Sequence, residues 1–352
     1  MNYLTSLRGF AAILVVLYHF KSHLLHYINF NPLVAIIENS YLAVDFFFVL
    51  SGFILSYKYN ATFSYILKWK DFFNFLVKRV ARIAPLHIFI LISFLLIPVA
   101  HLLTGRPVDQ VYYGVEAFFI KLFLIDTWVI NERYWSTWNT PSWTISAELF
   151  AYLLLPFIMF TMKKWSIFLR LLFCCSLCFL LAILHIQKGS NVIGNYIGTL
   201  GLLRCFTEFN CGILVYLIST RMSSIKINTR IGLFILAIVL LLIAMSSIPE
   251  NFLYIPILFS FLLLTFISFE NTIHNFLSYK PFVFLGDISY SIYLNHYFVK
   301  AMVTMLLIPQ DQIATVKVIF IYIFFTILLS VFTFKFIEVP SRKWLTKKGS
   351  LK

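Results

Sequence analysis

The 352-residue chain is 61% hydrophobic and only 12% charged, with a mean hydropathy of +0.89, which takes it outside the range of soluble domains. Its formal charge of +14 raises nucleic acid as a partner. The Lys and Arg, however, sit in short patches between apolar runs, where they act as membrane orientation signals, so no nucleic-acid partner is expected.

In chain order, apolar runs long enough to cross a bilayer fall at about 9–27, 41–57, 83–104, 143–161, 167–186, 200–219, 231–248, 252–269, 282–307 and 317–337. The expected fold is therefore all-α, a polytopic transmembrane helical bundle of about ten spanning helices. An eleventh run, 113–130, contains Glu116, Lys121 and Asp126 and predicts a re-entrant or interfacial helix, because ionisable groups at mid-membrane are costly. With that run not crossing, the Lys and Arg of 58–82, 163–170, 221–230 and the C-terminal tail fall on one side, which the positive-inside rule makes the cytoplasm. Both termini are then cytoplasmic and 105–142 lies outside, in a cell inner or plasma membrane. The first run follows Arg8 without a small-residue cleavage site and is expected to remain as a spanning helix. No stretch is polar and long enough for a soluble domain, so a single membrane domain is expected over 1–352, with no appended soluble domain.

The five Cys, at 174, 175, 178, 205 and 211, are expected to be small buried residues. Cys175 and Cys178 lack the second pair or His cluster that a zinc site needs. His23 and His26 follow His19 at metal-ligand spacing, but no carboxylate pattern matches them, and no metal site is expected.

Polar groups inside the spans are the functional candidates. Arg8 and His19 are eleven residues apart, about 20° beyond three full turns, so they share one helix face about 16 Å apart in depth. A cytoplasmic anchor would explain Arg8 alone, and an interhelical hydrogen bond would explain His19 alone; neither explains the shared face. In "YLAVDFFFVLSGFILSYKY", Asp45 lies near the outer end of the second span. Ser51 and Gly52 lie near its middle, where small residues let helices approach closely. Arg79 and Arg82, at i and i+3 in "VKRVARIAPLH", suit bidentate capture of phosphate or another anion, although snorkelling to head groups is the simpler use of such a pair. In "NTPSWTISAELFAYLLLP", Trp143 is an interface aromatic, while Glu148 lies inside the span, where a carboxyl can serve as acid or base or as a structural hydrogen-bond partner. In "FLGDISYSIYLNHYF", Ser289, Tyr293 and His296 form one stripe, read as helix packing or support for a site.

Together these segments resemble the acyltransferase 3 family of membrane proteins. "LRGFAAILVVLYHF" carries a basic residue, ten residues and a His; "VDFFFVLSGF" is similar to that family's second-helix signature. "RVAR", "SWTISAELFAYLLLP" and "LGDISYSIYLNH" follow in the family's order, with Thr144 standing where Ser is usual. The resemblance implies a membrane O-acyltransferase. It would use acyl-coenzyme A, foremost acetyl-coenzyme A, as a donor substrate with no permanently bound cofactor, and a hydroxyl of a surface glycan or lipid-linked sugar as acceptor, among membrane lipids. It implies catalytic roles for His19, Glu148 and Asp45, with His19 as general base or acyl-carrying nucleophile. Arg8, Arg79 and Arg82 would bind the donor, and Ser51, Trp143, Ser289, Tyr293 and His296 would support the site. Direct transfer and a covalent relay both stay open, as do acetyl and succinyl groups. An extracytoplasmic partner, if used, would be a separate protein. The rival class is a transporter or flippase of a glycan precursor, against which the sequence shows no inverted internal repeat.

Overall fold

The computed structural model describes residues 1–65, 67–103, 105, 107–190, 192–221, 251–268, 272–309 and 312–349. Among these residues the chain is all-helical, with no strand. The main helices are α1 (Asn2–His19), α2 (Ala43–Phe63), α3 (Trp69–Ser93), α4 (Val115–Leu122), α5 (Trp143–Thr161), α6 (Ile167–Gln187), α7 (Ile197–Arg221), α8 (Asn251–Ser268), α9 (Lys280–Asp287), α10 (Ser289–Leu307), α11 (Val316–Thr333) and α12 (Val339–Gly349).

Six helical stretches among the described residues are long and apolar enough to cross a membrane: Ser40–Phe63, Trp69–Leu103, Thr140–Lys164, Ile167–Gln187, Ile197–Arg221 and Val316–Gly349. A seventh arises if α1 and the following segment Lys21–Tyr27, bent by 71°, form one span. This makes a multi-pass membrane protein and does not establish the expected count of ten. The expected span 231–248 lies outside the described residues. The run 252–269 forms α8, Asn251–Ser268, and 282–307 divides at Ile288 into α9 and α10. The run 113–130 holds only the eight-residue α4, about 12 Å long and too short to cross.

Short-range chemistry sets several boundaries. Ser166 caps α6 by accepting from the Leu169 amide (3.2 Å), and Thr315 does the same for α11 toward Val318 (3.4 Å). A Pro-containing turn, Thr140–Ser142, leads into α5. Four of the five Cys are buried as expected, whereas Cys175 is exposed, because it falls on the outward face of α6 beside Leu171 and Leu172.

Two glycine contacts bring the core together. A Cβ on Gly52 of α2 would lie 2.0 Å from the Phe209 carbonyl oxygen, and one on Gly212 of α7 would lie 1.9 Å from that of Val49. The α2/α7 crossing therefore runs backbone against backbone, which only glycine permits at these two points. At the basic end Gly286 of α9 meets Thr5 of α1 in the same way, a Cβ there lying 1.9 Å from the Thr5 carbonyl oxygen. Around this centre Phe48, Val49, Phe53, Ala151, Leu155, Phe209 and Leu294 are buried in one apolar core. Phe168, Phe179 and Phe320 project outward from α6 and α11, as lipid-facing aromatics do in a medium no more polar than they are.

Candidate active site

The polar residues singled out from the sequence sort into three places. The first is a cavity of about 120 Å³ between α1, α2, α3, α5 and α10. Arg8 reaches it from α1, Arg79 and Arg82 from α3, Ser51 from α2, Glu148 from α5, and Ser289 and Tyr293 from α10. The Arg79 guanidinium stacks over Tyr59, Phe75 and Tyr152, at 5.8, 5.9 and 6.0 Å from the ring centres, and its buried Nε has no hydrogen-bond partner. Ser51 donates to Glu148 Oε1 in a short hydrogen bond. Among the described residues Glu148 is the one carboxylate on the wall, against three guanidinium groups.

The second place is the end of α1. His19 is the last residue of that helix, so Arg8 and His19 do share one continuous helix. Its ring lies 5.0 Å from that of His296 and 5.3 Å from that of Tyr297. His296 uses Nδ1 toward the Ile292 carbonyl oxygen (3.3 Å), while its Nε2 is buried without a partner. Lys300 and Lys21 flank the pair, over the rings of Tyr297 (5.2 Å) and Tyr18 (4.5 Å). Tyr293, whose ring is 5.9 Å from that of His296, also lines the arginine cavity and so connects the two places.

The segment 105–142 is fastened beside α10. Asn139 donates to the Leu294 carbonyl oxygen (3.3 Å) and Tyr293 to that of Pro141 (3.2 Å). Inside the segment Lys121 and Asp126, both fully enclosed, pair at 2.6 Å, and Lys121 also donates to the Trp135 carbonyl oxygen (2.9 Å). Charges that argued against a span at 113–130 are thus spent on each other. Burial, with Tyr297 and Asp109 nearby, pushes the Tyr113 phenol of this segment up to about 12. It therefore stays a neutral donor throughout the physiological range.

The third place lies around Asp45, apart from His19. Asp45 does not reach that imidazole: it accepts from Arg204 Nε (2.6 Å) and Nη2 (2.5 Å) in a bidentate pair sealed inside the bundle. Glu208 lies 4.0 Å from the same guanidinium, and Trp143 stacks on it at 5.6 Å, so Trp143 belongs to this cluster and not to the cavity wall. Glu148 likewise makes no hydrogen bond to His19; its partner is Ser51, and it faces the arginines. The physical reason is that α2 and α7 cross at their glycines, which delivers Arg204 to Asp45 before any imidazole.

Sequence reasoning missed Arg204, Glu208 and Glu338. Glu338 is buried in a π-helical turn, Phe334–Glu338, and accepts from Ser291 (2.8 Å). A carboxylate in "FKFIEVP" at the end of an otherwise apolar span was the available signal. Among the described residues no group of His, Cys, Asp or Glu is placed to hold a metal ion.

A cation-lined cavity joined through Tyr293 to a pair of imidazoles, inside a multi-pass helical bundle, suits transfer of a group from an anionic carrier. Comparison with known proteins supplies the class. An acyltransferase domain matches residues 1–335, and the chain belongs to that family. Among curated relatives, "O-acetyltransferase OatA" of Staphylococcus aureus (strain NCTC 8325 / PS 47) is 26% identical over 97% of this chain and 57% of its own length. YrhL of Bacillus subtilis (strain 168), named as a candidate peptidoglycan O-acetyltransferase, is 24% identical over 96% of this chain and 54% of its own. "Acyltransferase MdmB" of Streptomyces mycarofaciens is 31% identical over 44% of this chain and 38% of its own. The chain thus spans about half the length of the first two relatives. No solved structure matches it.

Proposed function

We propose that this chain transfers an acetyl group from cytoplasmic acetyl-coenzyme A to a hydroxyl of a cell-surface or lipid-linked glycan, as a ten-span protein of the plasma membrane with both termini inside. The observation that carries this reading is the convergence of Arg8, Arg79 and Arg82 on one cavity, with His19 at the other end of the helix that bears Arg8. The donor's phosphates pair with the guanidinium groups, whose planar forks match phosphate oxygens. His19 then takes the proton of the acceptor hydroxyl, and that oxygen attacks the thioester carbonyl. The new C–O bond forms, the C–S bond breaks, and the leaving thiolate recovers the proton from the imidazolium. In the covalent variant of the scheme, the imidazole attacks first, the C–S bond breaks and the thiolate leaves. The acceptor hydroxyl then attacks the acyl-imidazole, the C–N bond breaks, and the hydroxyl proton passes to the thiolate.

In this reading Glu148, held by Ser51, orients the arginines, and Ser289 and Tyr293 shape the cavity wall. His296 packs against His19 and fixes its ring. Asp45, with Trp143, acts through Arg204 to hold α2 against α7, a positioning role. The O-acetyltransferase name of the Staphylococcus aureus relative supports acetyl as the group transferred. The test is incubation of membranes containing the protein with labelled acetyl-coenzyme A and a glycan extract. Alkali-labile label on the glycan is expected, with transfer by His19→Ala reduced about a hundredfold or more, the usual worth of a general base. Near wild-type transfer by His19→Ala would remove the base role.

A further inference from the structure

A second cavity, larger than the first at about 320 Å³, lies between α2, α5, α6 and α7 and shares no wall residue with the arginine cavity. We propose that it binds the head group of an anionic phospholipid.

Its polar wall is one-sided. Lys163, Arg170 and Arg221 line it together with Asn60 and Asn210, and no Asp or Glu does so among the described residues. Lys163 and Arg221 are exposed at the rim, whereas Arg170 is only 8% exposed. Arg170 donates through Nη2 to the carbonyl oxygens of Met162 and Lys163, which fixes its plane. Its buried Nε is left without a partner, as is the enclosed hydroxyl of Ser56 on the same wall. A guanidinium held flat, with an unused donor and no carboxylate to answer it, is what a phosphodiester requires. Unpaired buried donors cost free energy until such a partner arrives.

The surroundings make that partner a lipid. The cavity sits where α2, α5 and α7 end and α6 begins, the end of the bundle bearing the basic loops. Arg170 and Phe173 turn inward from α6, while Phe168, Leu172 and Phe179 of the same helix project outward, 72%, 56% and 63% exposed on an apolar span. A head group in the cavity therefore has its acyl chains' natural medium on the far side of a single helix. Basic pockets between helices at this level are the places where anionic head groups bind.

The test uses the purified full chain in mild detergent, with phosphatidylglycerol, phosphatidylcholine, inorganic phosphate and coenzyme A each titrated separately and bound ligand counted by native mass spectrometry. Phosphatidylglycerol is expected to bind at low mole fraction and phosphatidylcholine not to. The double variant Lys163→Gln/Arg221→Gln leaves the fixed Arg170 plane intact. It should weaken phosphatidylglycerol binding about twenty-five-fold, at about fivefold per cation removed. Lys343→Gln/Lys347→Gln, at the same end of the protein but outside the cavity, should leave binding unchanged. Equal loss in the two double variants would reduce the effect to general surface charge and overturn the proposal. Unaltered binding in Lys163→Gln/Arg221→Gln would overturn it too. Coenzyme A or phosphate binding that this variant abolishes, with phosphatidylglycerol silent, would give the cavity to a soluble anion and end the lipid assignment. None of these readouts depends on acyl transfer.

Discussion

Two polar clusters lie within two turns of each other on α2, and they are built with opposite charge balance. Around Asp45, two carboxylates share the single guanidinium of Arg204, and all three groups are buried. Around Ser51, three guanidinium groups and the carboxylate of Glu148 line one cavity, and Glu148 accepts from Ser51. The first cluster is closed, and its one cation is spent on fastening α2 to α7. The second keeps an excess of positive charge even with Glu338, which interacts with Arg8 and Arg82, and that excess suits an anion from outside the protein. Buried ionisable groups in a membrane bundle therefore do not all announce a site. The Asp45–Arg204 pair is sealed with no room for a further partner, and Glu208 beside it has no hydrogen-bond partner, whereas the arginines face an open cavity.

Asp45→Ala should have the largest consequence for the fold. Removing one partner of a sealed pair strands the other, and a loss of about 3–5 kcal/mol in stability is expected, read as a shift in a chemical-denaturation series. Acyl transfer per folded molecule should change by no more than about twofold. An Asp45→Ala protein as stable as the parent but unable to transfer would move Asp45 from positioning into the reaction.

The cavity should respond the other way. Arg79→Ala/Arg82→Ala removes two charged donors from an anion site, and hydrogen bonds to charged groups are worth about 1.5–3 kcal/mol. The KM for the acyl donor is expected to rise about a hundredfold or more, with a stability loss well below that of Asp45→Ala. A denaturation midpoint that falls as far as for Asp45→Ala, with KM unchanged, would make the arginines structural and erase the distinction between the clusters.

Much of the cavity was legible because an ionisable residue in an apolar run has nothing local to hide behind. Arg8, Arg79, Arg82 and Glu148 stand out in this way, and all four meet on one wall. The sorting of partners was not legible. Asp45 pairs with a residue 159 positions away, and Arg204 lies in a span whose average hydropathy still passes as membrane helix, so neither spacing nor composition points to it. Ser51 and Gly52 show the same limit at one position. The sequence offered them as a packing pair, yet only Gly52 meets the backbone of α7, while Ser51 turns to Glu148. The break at Ile288 was missed as well, although Gly286, Asp287 and Ser289 interrupt the apolar run at the point where it divides into α9 and α10.

The smallest expected effect discriminates most finely within the cavity. Ser51→Ala deletes the hydroxyl that donates to Glu148 Oε1 and changes no charge. Because the carboxylate faces a cavity and not packed core, a water molecule can replace the lost donor, so stability should move by less than about 0.5 kcal/mol. What changes is the orientation of Glu148 relative to three arginines. A fall of about fivefold in kcat/KM is expected, the worth of one ordinary hydrogen bond, and it should appear mainly in the KM for the acyl donor. A loss above about a hundredfold in kcat at unchanged KM would place the Ser51 hydroxyl on the reacting atoms themselves. An unchanged kcat/KM would show that the direction in which Glu148 points is immaterial, and that the cavity works through its excess of positive charge alone.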